Sequence, residues 1–119
     1  MSRILLIDDD AHLLDLLQDC LEEDGHLVLK ATKAKEALQL FQDIKPELVI
    51  IDIIMPQVDG LELLSQFKKF GFSFKSILLS GLNDDKLKQK AQEVGADLYL
   101  AKPVPVENFN EIIKKILSH

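Results

Sequence analysis

The feature that most constrains the fold is an apolar run, residues 48–55, that is interrupted by a single carboxylate, Asp52. Pro56 and Gly60 follow the run and turn the chain. Because a strand that is buried on both faces is continuously hydrophobic, the run predicts a central strand of a parallel sheet. A carboxylate at the end of such a strand is costly unless a cation or hydrogen-bond donors meet it. We therefore expect Asp52 to have polar partners from other parts of the chain.

The composition indicates one globular domain over residues 1–119. Hydrophobic residues make up 47% of the chain and charged residues 29%, which is typical of a folded domain of this length. The net charge of −6 argues against direct binding to nucleic acid or to anionic membranes, because both require a basic surface. No signal-peptide pattern opens the chain, and no apolar run approaches about 20 residues. We therefore expect a cytoplasmic protein without membrane insertion.

The cysteine and histidine content gives no sign of a metal centre built from these residues. Cys20 is the only cysteine, which excludes an intrachain disulfide and a cysteine-based zinc site. Its leucine-rich neighbourhood favours packing in the core over reactivity. His12, His26 and His119 have no metal-ligand spacing. We expect His12 to face solvent in the first turn of a helix.

Short apolar runs alternate with amphipathic segments along the whole chain. Strands are predicted over residues 3–8, 26–31, 75–80 and 97–101, in addition to the strand that ends at Asp52. Helices are predicted over residues 10–24, 34–44, 61–70, 84–94 and 106–117. Strands and helices that alternate in this way predict a doubly wound α/β fold, (βα)5, with a five-stranded parallel sheet and helices on both faces.

Helix faces and caps can also be predicted in detail. The first helix is expected to bury the apolar residues that recur at helical spacing, namely Leu13, Leu16, Leu17, Cys20 and Leu21. Three polar residues are expected as N-caps, Asp10, Thr32 and Asn83. The phenylalanines of the third helix and the connection after it could form a partner patch, but packing at the edge of the core is favoured: Phe67, Phe70, Phe72 and Phe74.

Polar side chains stand at the ends of four predicted strands: Asp8 and Asp9, Asp52, Ser80, and Lys102. In an open parallel sheet the carboxyl ends of the strands lie at one edge, where ligands bind. Each residue alone has an ordinary structural explanation, such as a turn serine or a solvated lysine. Together, however, three carboxylates repel one another unless a cation lies among them. Oxygen ligands of this kind suit Mg²⁺.

The same groups are those required for phosphoryl transfer to a carboxylate. Asp52 can act as the nucleophile, while a divalent ion and the ammonium of Lys102 neutralise charge on the phosphoryl oxygens. The hydroxyl of Ser80 can donate a hydrogen bond to the transferred group. The sequence therefore predicts an aspartyl-phosphate site.

The motifs that carry this chemistry are Ile7-Asp8-Asp9, Asp52-Ile53-Ile54-Met55-Pro56, Asp59-Gly60, Leu79-Ser80-Gly81, Gly95-Ala96 and Tyr99-Leu100-Ala101-Lys102-Pro103. In this order and spacing the chain resembles a receiver domain of two-component response regulators over its whole length. The resemblance is to a chemotaxis-regulator-like receiver that stands alone, and it implies the flavodoxin-like strand order 2-1-3-4-5.

The resemblance also implies a role for each matching residue. Asp52 would accept a phosphoryl group from a sensor histidine kinase, a phosphotransfer protein or a small phosphodonor. The implied Mg²⁺ ligands are Asp9 and Asp52, Asp8 through water, and the backbone carbonyl of Ile54. Lys102 would pair with the phosphoryl group, and the Lys102–Pro103 peptide bond would be cis. Ser80 and Tyr99 would form the switch.

The implied output is a change of the face formed by the fourth helix, fifth strand and fifth helix, read by a downstream protein. A phosphorylation-dependent homodimer is a further option. Such a domain is a signalling phosphoacceptor rather than an enzyme, since it catalyses only its own phosphorylation and dephosphorylation. The chain departs from the family's pattern in three respects. Val104 replaces a common aromatic residue, and Pro105 replaces a polar N-cap. The apolar residues Ile54 and Leu82 near the acceptor are the third departure.

Two alternatives are open at this stage. A metal-dependent phosphohydrolase would also have a nucleophilic aspartate after a strand, but it usually needs a carboxylate two positions later, where this chain has Ile54. A receiver fold could instead serve as a phosphate-independent scaffold or dimerisation module. The set of acidic, hydroxyl and lysine residues argues against that second alternative. The apolar neighbours Ile54 and Leu82 are expected to tune the access of water to the phosphate.

Overall fold

The computed structural model describes residues 1–82 and 84–118. Five strands form one parallel sheet: β1 (Arg3–Ile7), β2 (Leu27–Ala31), β3 (Leu48–Asp52), β4 (Lys75–Ser80) and β5 (Leu98–Ala101). Their order is β2-β1-β3-β4-β5, and every neighbouring pair is parallel. The predicted fold class and strand order are therefore confirmed. All five residues of β3 are buried, which explains why its sequence is continuously apolar up to Asp52.

Five α-helices follow the strands: α1 (Ala11–Glu23), α2 (Ala34–Ile44), α3 (Gly60–Lys68), α4 (Asp85–Glu93) and α5 (Phe109–Leu117). A 3-10 turn, Val106–Asn108, leads into α5. Two apolar cores lie on the two faces of the sheet, one beneath α2, α3 and α4 and the other beneath α1 and α5. In the part of the chain that the structure describes, no helix is long and apolar enough to cross a membrane.

The buried face of α1 differs from the predicted one. Leu14, Leu17 and Leu21 are buried, whereas Leu16 is 44% exposed. Leu14 and Leu21 are two turns apart and point the same way, while Leu16 lies on nearly the opposite side of the helix. Leucines fill so many positions of α1 that the apolar pattern alone assigns its face ambiguously. Cys20 is half-buried at the edge of the α1–α5 core.

The predicted N-caps have three different outcomes. Asp10 caps α1, because its side chain accepts a hydrogen bond from the backbone N–H of Leu13. The prediction for Thr32 was wrong: Lys33 occupies the N-cap position of α2 without a side-chain bond, and the Thr32 N–H donates to Glu36. Asn83 lies outside the described residues. Asp84, which precedes α4 directly, accepts from the N–H of Lys86.

A short antiparallel hairpin between β3 and α3 was not predicted. It pairs Ile54–Met55 with Val58–Asp59. Its two-residue turn is Pro56-Gln57, and Gln57 has a positive φ of 62°. Each strand of the hairpin is too short to produce a recognisable alternation of apolar and polar residues. The hairpin places Ile54 on the surface two residues after Asp52.

The phenylalanines pack at the edge of the core, as expected. Phe41 of α2 lies at the centre of the group and stacks on Phe67 with ring centroids 4.1 Å apart. Phe72 and Phe74 also contact the Phe41 ring, with centroid distances of 4.8 and 5.1 Å. Phe70 is the most exposed member. This cluster stabilises the end of the sheet opposite the strand ends that carry the acidic residues.

Candidate functional site

The carboxyl ends of β1 and β3 are neighbours in the sheet, so Asp8 and Asp9, which follow β1, lie beside Asp52 at the end of β3. One carboxylate oxygen from each of Asp8, Asp9 and Asp52 lies within 4.8 Å of the others. Lys102 reaches the same point from the end of β5. The structure thus brings together four of the residues that the sequence analysis selected.

Asp52 is 4% exposed, and each of its carboxylate oxygens accepts one hydrogen bond. Its Oδ1 accepts from the backbone N–H of Ile54 at 3.2 Å. Its Oδ2 accepts from Lys102 Nζ at 3.1 Å. These two donors offset the cost of burying the charged carboxylate at the end of a hydrophobic strand.

Asp8 is more deeply buried, with 1% exposure, and is less completely paired. Its Oδ1 accepts from the N–H of Asp10 at 3.0 Å. Its Oδ2 lies 2.9 Å from Lys102 Nζ, but no group among the described residues meets it in hydrogen-bonding geometry. Asp9 is exposed. A buried carboxylate oxygen with an incomplete set of partners is well suited to a cation.

Lys102 shares one ammonium group between two carboxylates. Burial by itself lowers the pKa of Lys102, but the close contacts of its ammonium with Asp8 and Asp52 and the negative charges of these carboxylates together outweigh burial and raise that pKa. The side chain therefore remains a cation. The peptide bond between Lys102 and Pro103 is cis.

The net negative charge of the cluster can be neutralised by a divalent cation. The cluster contains three carboxylates and one ammonium, so its formal charge is −2. Carboxylate oxygens are hard ligands, which Mg²⁺ prefers, and three of them lie close together here. The donor set and the incompletely paired oxygen of Asp8 thus fit a magnesium ion.

The side chains of Ser80 and Tyr99 both form hydrogen bonds with the backbone of Leu82, which is not part of the acidic cluster. The Oγ of Ser80, which is fully buried, accepts from the Leu82 N–H at 3.0 Å. The hydroxyl of Tyr99 donates to the Leu82 carbonyl oxygen at 2.8 Å. The backbone N–H of Lys102 donates to the carbonyl of Ser80 at 2.8 Å. The backbone of Leu82 therefore connects the end of β4 with β5.

Two features of the site escaped the sequence analysis. The first is this link through Leu82, for which the sequence contains no signal because both bonds use backbone atoms. The second is the close approach of Gly60 to the backbone of Asp52 and Ile53. A Cβ atom on Gly60 would clash with the Asp52 carbonyl oxygen and would lie 2.7 Å from Ile53 Cα. The Asp59-Gly60 pair after the apolar run was the available signal, although it indicated only a turn.

Comparison with known proteins identifies related chains. Residues 4–114 match the family profile described as response regulator receiver domain. The chain is 31% identical to the chemotaxis protein CheY of Halobacterium salinarum, and the match covers 98% of both proteins. It is 33% identical to the alkaline phosphatase synthesis transcriptional regulatory protein PhoP of Bacillus subtilis over 98% of this chain. The chain spans about half the length of PhoP, since the match covers 48% of that protein.

The solved structures include a similar molecule of nearly equal length. It is the response regulator receiver domain protein (CheY-like) of Methanospirillum hungatei, which superposes with a TM-score of 0.92 at 33% sequence identity. The superposition covers 99% of this chain and 94% of that one. The likeness therefore extends to both cores and to all five strand ends.

Proposed function

Because this chain belongs to the response regulator receiver domains of two-component signalling, we propose that it is a phosphoacceptor switch in which Asp52 is the phosphorylated residue. The observation that supports the proposal best is the grouping of Asp8, Asp9 and Lys102 around a buried Asp52. Asp52 is held by the ammonium of Lys102 and by the backbone N–H of Ile54 at the end of the central strand β3. Receiver domains are signalling domains.

In the proposed transfer, a carboxylate oxygen of Asp52 forms a bond to phosphorus as the bond from phosphorus to the donor breaks. The donor is the phosphohistidine of a sensor kinase or phosphotransfer protein, whose imidazole leaves and takes up a proton, or a small acyl phosphate. Lys102 stays charged because its pKa is raised, and its ammonium pairs with the phosphoryl oxygens. Burial of Asp52 and Asp8 strengthens these interactions by excluding water.

The acidic group is the proposed Mg²⁺ site. Asp9 and Asp52 would bind the ion directly, Asp8 would bind it through water, and the carbonyl of Ile54 would complete the protein ligands. When bound, the ion offsets the repulsion between the carboxylates and the incoming phosphoryl oxygens. The role of the chain is to hold Asp8 and Asp52 in position, through the N–H groups of Asp10 and Ile54.

The proposed switch uses the link at Leu82. A phosphoryl group on Asp52 adds strong acceptors, for which the Ser80 hydroxyl is a suitable donor. Movement of Ser80 toward the phosphate would break its bond with the Leu82 N–H. Tyr99, which is bonded to the same residue, would then change its position. The face formed by α4, β5 and α5 would report the change to a downstream protein.

The proposal is tested by intact-protein mass spectrometry after incubation with acetyl phosphate, with and without Mg²⁺. We expect one phosphoryl adduct that requires Mg²⁺ and is lost in Asp52→Asn. The control variant is Asp43→Asn, which removes an exposed carboxylate of α2 and should leave the adduct unchanged. An adduct that persists in Asp52→Asn would contradict the assignment. Absence of both an adduct and Mg²⁺ binding would favour a phosphate-independent scaffold.

A further inference from the structure

Helix α4 is packed less completely than the other four helices. Ala91 is its only buried residue, and Leu87 and Val94 are half-buried beside it. An open groove of about 310 Å³ lies along each flank of α4. One groove runs between α4 and β5 and is lined in part by Lys88 and Tyr99. The other, named here the hairpin groove, runs between α4 and the hairpin that follows Asp52.

The hairpin groove is mainly apolar. Its lining includes Ile53, Ile54, Met55, Val58, Leu61 and Leu87. Ile54 is 51% exposed, and Val58, Leu61 and Leu87 are half-buried. A contiguous set of partly exposed aliphatic side chains in a concave surface indicates an interaction site more strongly than the same residues would if they were scattered.

The charged side chains at the rim of the hairpin groove differ in whether they already have partners within the chain. Lys90 lines the groove, and Lys86 lies one turn earlier on the same side of α4. Neither lysine forms an ion pair within the described residues. Asp59 is the only acidic residue of the lining, and its Oδ1 is already bonded to the N–H groups of Leu61 and Glu62. Asp59 keeps its negative charge, so the positive charge of the rim lies on the α4 side, at Lys86 and Lys90, although the chain as a whole has a net charge of −6.

We propose that the hairpin groove is a docking site for an amphipathic helix of a protein partner, with carboxylates flanking its apolar stripe. Apolar side chains of such a helix would fill the space around Ile54, Leu61 and Leu87. Its carboxylates would pair with Lys86 and Lys90. The two ammonium groups on the α4 side disfavour a helix with basic residues there, so they add selectivity to the apolar contact.

The groove is directly connected to the proposed phosphoacceptor. Its first lining residues, Ile53 and Ile54, follow Asp52 in the chain, and the Ile54 N–H holds Asp52 Oδ1. Modification of Asp52 changes the acceptor of this hydrogen bond, so it alters the backbone that shapes one wall of the groove. Regulation of docking rests on the proposed phosphorylation of Asp52, whereas the existence of the docking site does not.

The probe is a synthetic helical peptide, blocked at both ends, with leucines at positions i, i+3, i+4 and i+7 and glutamates on either side of them. It is titrated into the unphosphorylated full chain labelled with ¹⁵N. We expect the amide resonances of Ile54, Leu61 and Leu87 to shift. Lys90→Glu replaces an attraction by a repulsion and should raise the Kd about tenfold. The matched variant Lys88→Glu, on the other flank of α4, should change the Kd by less than about twofold.

Three results would overturn the proposal. They are the absence of binding, equal binding of a peptide that has lysines in place of the glutamates, and resonance shifts confined to the groove of Lys88 and Tyr99. Regulation is examined separately by repeating the titration after treatment with acetyl phosphate and Mg²⁺. We expect a changed Kd for the native chain and an unchanged one for Asp52→Asn. An equal Kd on a chain whose mass confirms the adduct would refute regulation while leaving docking intact.

Discussion

At the scale of single residues, the site depends on contacts that tolerate little change. Gly60 allows the start of α3 to approach the backbone of the acceptor aspartate, and its N–H donates to the carbonyl of Ile53 at 2.9 Å. The hairpin and α3 are thereby attached to the end of β3. A side chain at this position would displace the segment that carries both the acceptor and the hairpin groove.

Gly60→Ala should therefore lower the free energy of unfolding by about 1 to 3 kcal/mol, because the new methyl group collides with backbone atoms that cannot move freely. Chemical denaturation measures the change. Gly81→Ala is the matched control, since a Cβ there meets no atom within 4 Å, and it should be close to neutral. Equal stability of both variants would show that the contact at Gly60 is less tight than described.

The pair of Asp15 and Lys30 provides a residue-scale prediction about pH. The hydrogen bond from Lys30, at 2.7 Å, and the charge of Lys30 lower the pKa of Asp15 below its usual value of 3.8. A carboxylate with a lowered pKa stabilises the fold above its unfolded pKa, and this contribution is lost as the pH falls through the folded value. NMR titration of the Asp15 carboxyl should show its pKa rising toward 3.8 in Lys30→Gln. No change is expected in Lys35→Gln, and an unaltered pKa in both variants would contradict the pairing.

At the scale of elements, α4 is the part of the molecule best suited to move. Helix α4 has one buried residue. Just beyond the carboxyl end of α4, the carbonyl of Gly95 accepts a hydrogen bond from Lys68 of α3 at 2.8 Å. Tyr99 is bonded to Leu82 before its amino end. Elements with few buried contacts open locally at a lower free energy than the core does. The attachments at its two ends therefore have a large share in holding α4 in place.

Lys68→Met should increase hydrogen exchange at the backbone amides of α4 without affecting those of β3. The reason is that the variant removes the donor to Gly95 but retains the apolar part of the side chain. Lys69→Met, at the neighbouring exposed position, is the control. Faster exchange throughout the sheet would instead mean that Lys68 stabilises the whole fold, which would contradict a local role.

The elements also show where prediction from sequence succeeds. The strands and helices were predictable because their apolar residues recur with periods that differ between the two structures. The buried face of α1 was misassigned because positions 13, 14, 16 and 17 are all leucine, so apolar residues lie on several sides of the helix. The cap at Thr32 failed because Lys33 occupies the N-cap position and Glu36 binds the Thr32 N–H. Such choices depend on side-chain geometry that residue types do not determine.

At the scale of the whole molecule, strand order brings the chemistry together. β1 and β3 are neighbours, so short aspartate side chains suffice at their ends, whereas β5 lies two strands, or about 10 Å, from β3 and requires the long side chain of Lys102. The grouping of these residues was predictable from the sequence because parallel strands end at one edge of the sheet. The link at Leu82 and the two grooves beside α4 were not, because they arise from packing and from backbone atoms.

The central claim is that the phosphoryl group is carried by Asp52 itself. Reduction of an aspartyl phosphate with borohydride converts that residue to homoserine, which tandem mass spectrometry can locate after digestion. For the chain treated with acetyl phosphate and Mg²⁺, we predict homoserine at position 52 and at no other aspartate. Homoserine at Asp8 or Asp9, or unmodified aspartate at position 52 in a chain that carries the adduct, would contradict the account.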